Sequence, residues 1–300
     1  MKTEEIALAR ILFENKIRRS DGNAFEDLFT QVMSYSEPEF EQIKPWGKIG
    51  DRKNDGFIRS KGVYYQVFGP EDISRSYSDV VPKLETDFAG LVSQWNPVKE
   101  FYFVVNDKYK GVSADANQTI ANIVKNNSLI KGKILTAKDI EAIVFGLSDD
   151  KIIRIVGFLP DWEQITSLDF SVLNQVVGFI MKLPNIKVNG EIKFPDWNEK
   201  IIFNNISKET KQYLDTASFN LGALNDFLAN ESFLAEELQK KLRGLYEELK
   251  PSLEGDFLFW EIANKCMPRN EQAFLTPVLT IMAKYFESCD IFEEPLRSIK

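Results

Sequence analysis

The chain has 300 residues, 44% of them hydrophobic and 27% charged, with a net charge of −8 and no histidine. That length and balance fit a soluble globular protein of one to three domains, and no apolar run approaches the roughly 20 residues of a membrane span. The missing histidine excludes Ser-His-Asp and Cys-His hydrolases, HNH and HD nucleases, and His-liganded zinc or iron chemistry.

Two cysteines, Cys266 and Cys289, sit in apolar sequence and are expected as buried thiols. A bound metal would therefore have oxygen ligands, which favours Mg²⁺ or Mn²⁺. Residues 201–300 hold 11 Lys+Arg against 16 Asp+Glu, so most of the excess acidity lies in the last third. An acidic balance is unpromising for unaided DNA binding.

Residues 3–18 read as a helix with Thr3 as N-cap, acids in its first turn and arginines at its end, as the helix dipole prefers. It is not a signal peptide, and the expected compartment is the cytoplasm. After Ser20-Asp21-Gly22, a helix over 23–34 presents Phe25, Leu28, Phe29, Val32 and Met33 as one apolar stripe, with Glu26 beside it. A short strand over 40–43 leads to the stretch 47–71. There a Gly-rich turn passes through Asn54-Asp55-Gly56 into a strand over 57–60, a Lys61-Gly62 turn and a second strand over 63–68, which together make a β-hairpin. Next come a helix within 74–95, starting or kinking at Pro82, and a buried strand over 100–106. A helix over 114–126, a strand over 133–135 and a helix over 136–146 capped by Thr136 complete this part. The order of elements suggests α/β architecture, a mixed sheet flanked by helices.

The triplet Asn54-Asp55-Gly56 is by itself a common turn signal. Its setting adds Gly50-Asp51 before it and Tyr64-x-Gln66 after it. Together these residues resemble the Mrr-like branch of the PD-(D/E)XK nucleases, whose pattern runs G-D-x-x-x-D-G and then Y-x-Q-x-K. The helix start Gly22-Asn23-Ala24-Phe25-Glu26-Asp27-Leu28 resembles the G-x-x-F-E-x-L that opens such nucleases. The resemblance implies a restriction-endonuclease-like fold. Asp55 and Glu26 would ligate Mg²⁺ or Mn²⁺, while Gln66 and the Val67 carbonyl complete or orient the shell. Phe68 stands where the family has lysine. Lys108, Lys110 or Lys53 could replace that lysine, or all three could be turn charges. Lys48, Arg52, Lys53, Arg59 and Lys61, with Lys44, cluster in and beside the hairpin. They are either a DNA-binding patch or solvated strand and turn charges.

Phe158-Leu159-Pro160-Asp161-Trp162 marks the expected end of the first domain, residues 1–160. Residues 161–195 read as a connector helix followed by a breaker-rich hinge at Pro184, Gly190 and Pro195-Asp196. From Trp197 the chain reads as helical throughout, with apolar stripes and stops at Pro251 and Pro268. Pro277 either kinks the last helix or marks its start. The ending Cys289-Asp290-Ile291-Phe292-Glu293-Glu294-Pro295 resembles the C-terminal domains of bacterial ABC-three-component systems, over residues 194–295. That resemblance implies an all-α domain, 196–300, docking to an SMC-like ABC ATPase. Taken together, the two resemblances imply an antiphage DNA endonuclease effector in a multi-subunit complex. The alternative is a catalytically inactive nuclease-fold module that binds DNA or bridges subunits.

Overall fold

The computed structural model describes residues 1–44, 53–73, 76–165, 167–184, 197–229, 232–288 and 290–293. Lys48, Arg52, Cys289, Glu294, Pro295 and the breaker-rich stretch around Gly190 lie outside the described residues. Helices α1 (Thr3–Arg19) and α2 (Gly22–Ser36) lead into strands β1 (Glu41–Gln42), β2 (Gly56–Ile58) and β3 (Val63–Phe68). Then follow α3 (Val80–Val92), β4 (Glu100–Val105), α4 (Ala114–Asn126), β5 (Lys131–Leu135), α5 (Ala137–Val144) and α6 (Asp149–Val156). The five strands form one sheet in sequential order, antiparallel from β1 to β3 and parallel from β3 to β5. The mixed α/β class expected from the element order is the one that forms.

Alternation along β3 assigns its side chains to two faces. Tyr64 stacks on Phe57 and meets Trp95, in the core that also holds Leu84, Phe88 and Leu91 of α3, Phe101 and Phe103 of β4, and Ile120 of α4. Tyr65 projects the other way, stacking on Tyr102 and meeting Phe29 of α2 at 5.6 Å. Phe101, Phe103, Val104 and Val105 of β4 are buried because helices cover both faces, while Glu100 and Tyr102 are half-buried.

Several elements differ from expectation for identifiable reasons. The first hairpin strand ends at Ile58, and Arg59–Lys61 form a 3-10 turn closed by Gly62 at φ 66, a left-handed conformation that glycine adopts without strain. The helix expected within 74–95 opens at Val80, so Pro82 falls in its first turn, where a missing N–H leaves no bond unmade. Thr3 is the first residue of α1, not its cap, since the Lys2 carbonyl accepts from Ile6 N. Helix α6 is not anticipated at all; it is eight residues long and buries Ile152 and Ile155.

Packing divides the chain into two units, residues 13–156 and residues 1–12 with 157–300. The second unit begins with the first part of α1, which contributes Leu8, Ile11 and Leu12 to its core. It continues with α7 (Phe170–Ile180), α8 (Trp197–Phe203), α9 (Lys208–Ser218), α10 (Leu221–Leu228), α11 (Ser232–Leu249), α12 (Gly255–Cys266) and α13 (Gln272–Glu287). The α7 helix, read from sequence as a connector, belongs to this core, because Leu173, Val176, Val177 and Ile180 are all buried in it. At its centre α13 continues through Pro277 and packs against α7, α9, α10, α11 and α12. The distinctive tail also turns inward. Phe292 meets Tyr246, Phe259 and Phe286, and buried Asp290 accepts from Gln239 at 2.6 Å and Ser288 at 2.5 Å. Burial pushes the Cys266 thiol up to about 12, so it is an inert core thiol. Among the described residues no helix is long and apolar enough to cross a membrane.

The turn into α5 yields a pH prediction. Burial raises the Asp139 carboxyl, but hydrogen bonds from Lys133 and from the Thr136 N–H and hydroxyl, with the Lys133 charge, outweigh it and hold the group below its ordinary 3.8. A depressed carboxyl stabilises the fold above its unfolded value and loses that contribution as pH falls through the folded one. Asp139→Ala is expected to cost about 1 kcal/mol at neutral pH. In urea titrations the gap to wild type should narrow as pH drops below 3.8.

Candidate functional site

The hairpin's backbone pairing stops where its polar chemistry starts. Strand β2 pairs with β3 from Gly56, opposite Tyr65, to Ile58, opposite Val63. One residue earlier, Asp55 still donates its N–H to the Tyr65 carbonyl at 3.0 Å. Beyond that the Asp55 side chain replaces the strand, its Oδ2 accepting the Val67 N–H at 2.6 Å. In a strand the N–H and C=O of one residue point to the same side, so the Val67 carbonyl faces the edge that Asp55 occupies. Gln66 lies opposite Asp55, one step past the last ladder pair.

Local sequence explains this geometry. Asn54 Oδ1 accepts the Gly56 N–H at 3.1 Å, a side-chain turn that brings the chain into β2. At Gly56 a Cβ would come within 2.3 Å of the Phe40 ring, so a side chain there would clash as the chain passes under Phe40. The triplet is thus a turn, and its aspartate is also buried and engaged.

Asp55 and Gln66 are each 4% exposed. Among the described residues Gln66 Oε1 has no hydrogen-bond partner, a costly state for a buried carbonyl oxygen. One carboxylate, one amide oxygen without a partner among the described residues and one backbone carbonyl therefore come from neighbouring positions of the hairpin. All are hard oxygen donors, the type that Mg²⁺ and Mn²⁺ take. The residues present fit such an ion in kind, although among the described residues no three acidic or cysteine side chains gather.

The structure separates the other expected site residues. Glu26 is half-buried on α2, which covers the Tyr65 face of the sheet, whereas Tyr64, Gln66 and Phe68 alternate to the opposite face. Its charge is felt by Lys44, which pairs with Asp27 at 2.6 Å and is raised by that hydrogen bond and charge first, by Glu26 last. Arg59 and Lys61 stand at the far, turn end of the hairpin. Arg59 lies over the Phe57 ring and 3.6 Å from Glu41, and Lys61 pairs with Glu37 at 3.1 Å. Neither is brought to Asp55. Lys108 donates to the Arg18 carbonyl at 2.9 Å and pairs with Asp21, so it caps the end of α1 and does not replace a site lysine. The Lys110 N–H donates to the Asp107 carbonyl in the turn after β4.

Lys53, two residues before Asp55, is engaged in company that the motif pattern does not single out. Its ammonium lies 2.9 Å from Asp87 Oδ1, and Lys83 lies 2.5 Å from Asp87 Oδ2. The Lys83 ammonium is also 5.8 Å from the centre of the Phe68 ring, which itself stacks on Phe103. Lys53 takes a left-handed φ of 61, and α3 accommodates its stem at Gly90, where a Cβ would come within 2.8 Å of Lys53 Cγ. Asp87 is 1% exposed. A signal was available: Leu84, Phe88 and Leu91 form an apolar stripe that Asp87 interrupts, with Lys83 four residues before it.

Comparison with protein-family models, with curated proteins and with solved structures returned no match.

The unpartnered Gln66 oxygen predicts a trade-off between stability and function. Gln66→Met keeps the volume and removes the buried carbonyl, so in EDTA it should stabilise the fold by about 1 kcal/mol. A lower urea midpoint than wild type would show instead that the Gln66 amide holds the sheet together.

Proposed function

We propose that residues 13–156 form a Mg²⁺- or Mn²⁺-dependent DNA endonuclease domain of the PD-(D/E)XK type. The observation that carries this reading is the Asp55 carboxylate, bonded to the Val67 N–H and opposite Gln66, whose buried oxygen has no partner among the described residues, at the open end of a hairpin in a mixed sheet. The motif residues quoted for the resemblance supply two of these three groups, and a mixed sheet with flanking helices is compatible with the fold that the resemblance implies.

In this reading Asp55, Gln66 Oε1 and the Val67 carbonyl hold the ion. The ion, when bound, polarises the scissile phosphate and lowers the pKa of a bound water. The chain's own residues orient and exclude. The Val67 N–H fixes the Asp55 carboxylate, the β3–β4 ladder fixes Gln66 opposite it, and Phe57, Tyr64 and Trp95 keep the neighbouring core dry. Residues 157–300 we assign to docking an SMC-like ABC ATPase, in the cytoplasm, as part of an antiphage complex. This assignment rests on the resemblance of residues 194–295, since Ile291 and Phe292 of its most distinctive motif are core residues.

One observation favours the second reading, an inactive module that binds DNA or bridges subunits. Phe68 occupies the family's lysine position and stacks, half-buried, on Phe103. Plasmid cleavage with Mg²⁺ or Mn²⁺, for the protein alone and with its ATPase partner, separates the two. Wild type should cleave, and Asp55→Ala should lose at least about 10²-fold in rate. Equal rates in both proteins, or no cleavage in either setting, would favour the second reading.

A further inference from the structure

The carboxylate of Asp87 is among the most buried charges in the chain, and two lysines from different elements meet on it. Burying a carboxylate is unfavourable unless it is paired. Pairing alone needs one cation. Here Lys83 comes from one turn earlier on α3 and Lys53 from the approach to β2, two residues before Asp55. The result is that one deeply buried carboxylate holds two ammonium groups, one on the residue two before Asp55 and the other over Phe68, two residues after Gln66.

Lys83 has the clearer role. Its side chain is 34% exposed, and Asp87 anchors the ammonium. It stands over Phe68, two residues after Gln66 on the same face of β3. An ammonium over an aromatic face is favourable, whereas a second ammonium rising from position 68 would meet like charge. Phe68 and Lys83 are thus mutually consistent: the strand supplies an apolar platform and the helix supplies the cation.

We propose that Lys83 is the catalytic cation of this site, contacting a non-bridging oxygen of the DNA phosphodiester, and that Asp87 is its positioning residue. The inference rests on the nuclease reading for the identity of the substrate, and it adds the group that stabilises the developing negative charge on the phosphate. It also accounts for Phe68 without loss of activity.

Binding and cleavage test it separately. Anisotropy of a labelled duplex with the full chain in EDTA, across a range of salt, reads the ionic component of phosphate binding with no turnover. Removing one lysine that neutralises a phosphate should reduce the salt slope by about 0.9. Lys83→Gln and Lys83→Ala should both show that reduction, Lys83→Arg should keep the wild-type slope, and Lys240→Ala, on α11, should not change it. With Mg²⁺, the Gln and Ala variants should lose about 10²-fold in cleavage rate, and the Arg variant should retain part of it. Urea midpoints near wild type would separate this from unfolding. A wild-type salt slope and cleavage rate in Lys83→Gln would overturn the proposal while leaving the nuclease reading in place. Absence of DNA binding by wild type would also overturn it. Lys83-dependent binding without metal-dependent cleavage would remove the nuclease reading and keep Lys83 as the phosphate-binding group.

Discussion

The site depends on one hydrogen bond, from the Val67 N–H to the Asp55 carboxylate at 2.6 Å. A buried backbone N–H must find an acceptor, and β2 begins to pair with β3 only at Gly56, too late to offer Val67 a strand partner. The carboxylate takes the place of the absent strand. That substitution orients Asp55, turns the Val67 carbonyl toward the same edge and leaves Gln66 across from it with an unpartnered oxygen. The proposed functional features are what remains when the last rungs of a ladder are built from side chains.

Two further buried carboxylates hold the surroundings in register. Asp107, at the end of β4, accepts from the Ala137 N–H at 2.8 Å and the Gly111 N–H at 2.7 Å, fixing the start of α5 and the turn after β4. Its neighbour Asn106 donates to the Ile17 and Ser20 carbonyls and so ties the end of α1 to the sheet. Asp87, on α3, instead pairs with two lysines, Lys83 and Lys53. This difference in partners separates a structural carboxylate from one proposed to position other groups.

Much of the fold was legible in the sequence because its signals were local. Apolar stripes located α2 and α13, the Thr136 cap marks a true helix start, and the Asp55–Gln66 spacing follows from hairpin geometry. Tertiary relations were not legible. Lys83 and Asp87 look like an ordinary surface i,i+4 pair until Asp87 is seen under the sheet, and Lys108 looks like a spare cation until it is seen capping α1. Arg59 and Lys61 neighbour Asp55 in sequence, but the strand carries them to the other end of the hairpin. The α7 helix read as a connector because breakers follow it, whereas its buried face makes it part of a core.

The central claim is that Asp55, Gln66 and the Val67 carbonyl hold a divalent cation. Titration of Mn²⁺ into the full chain, with free ion read by electron paramagnetic resonance, tests this without any assumption about substrate. Wild type should show a Mn²⁺ site that is lost in Asp55→Asn, a variant that can still accept the Val67 N–H. Equal Mn²⁺ binding by the two proteins, or none by wild type, would contradict it.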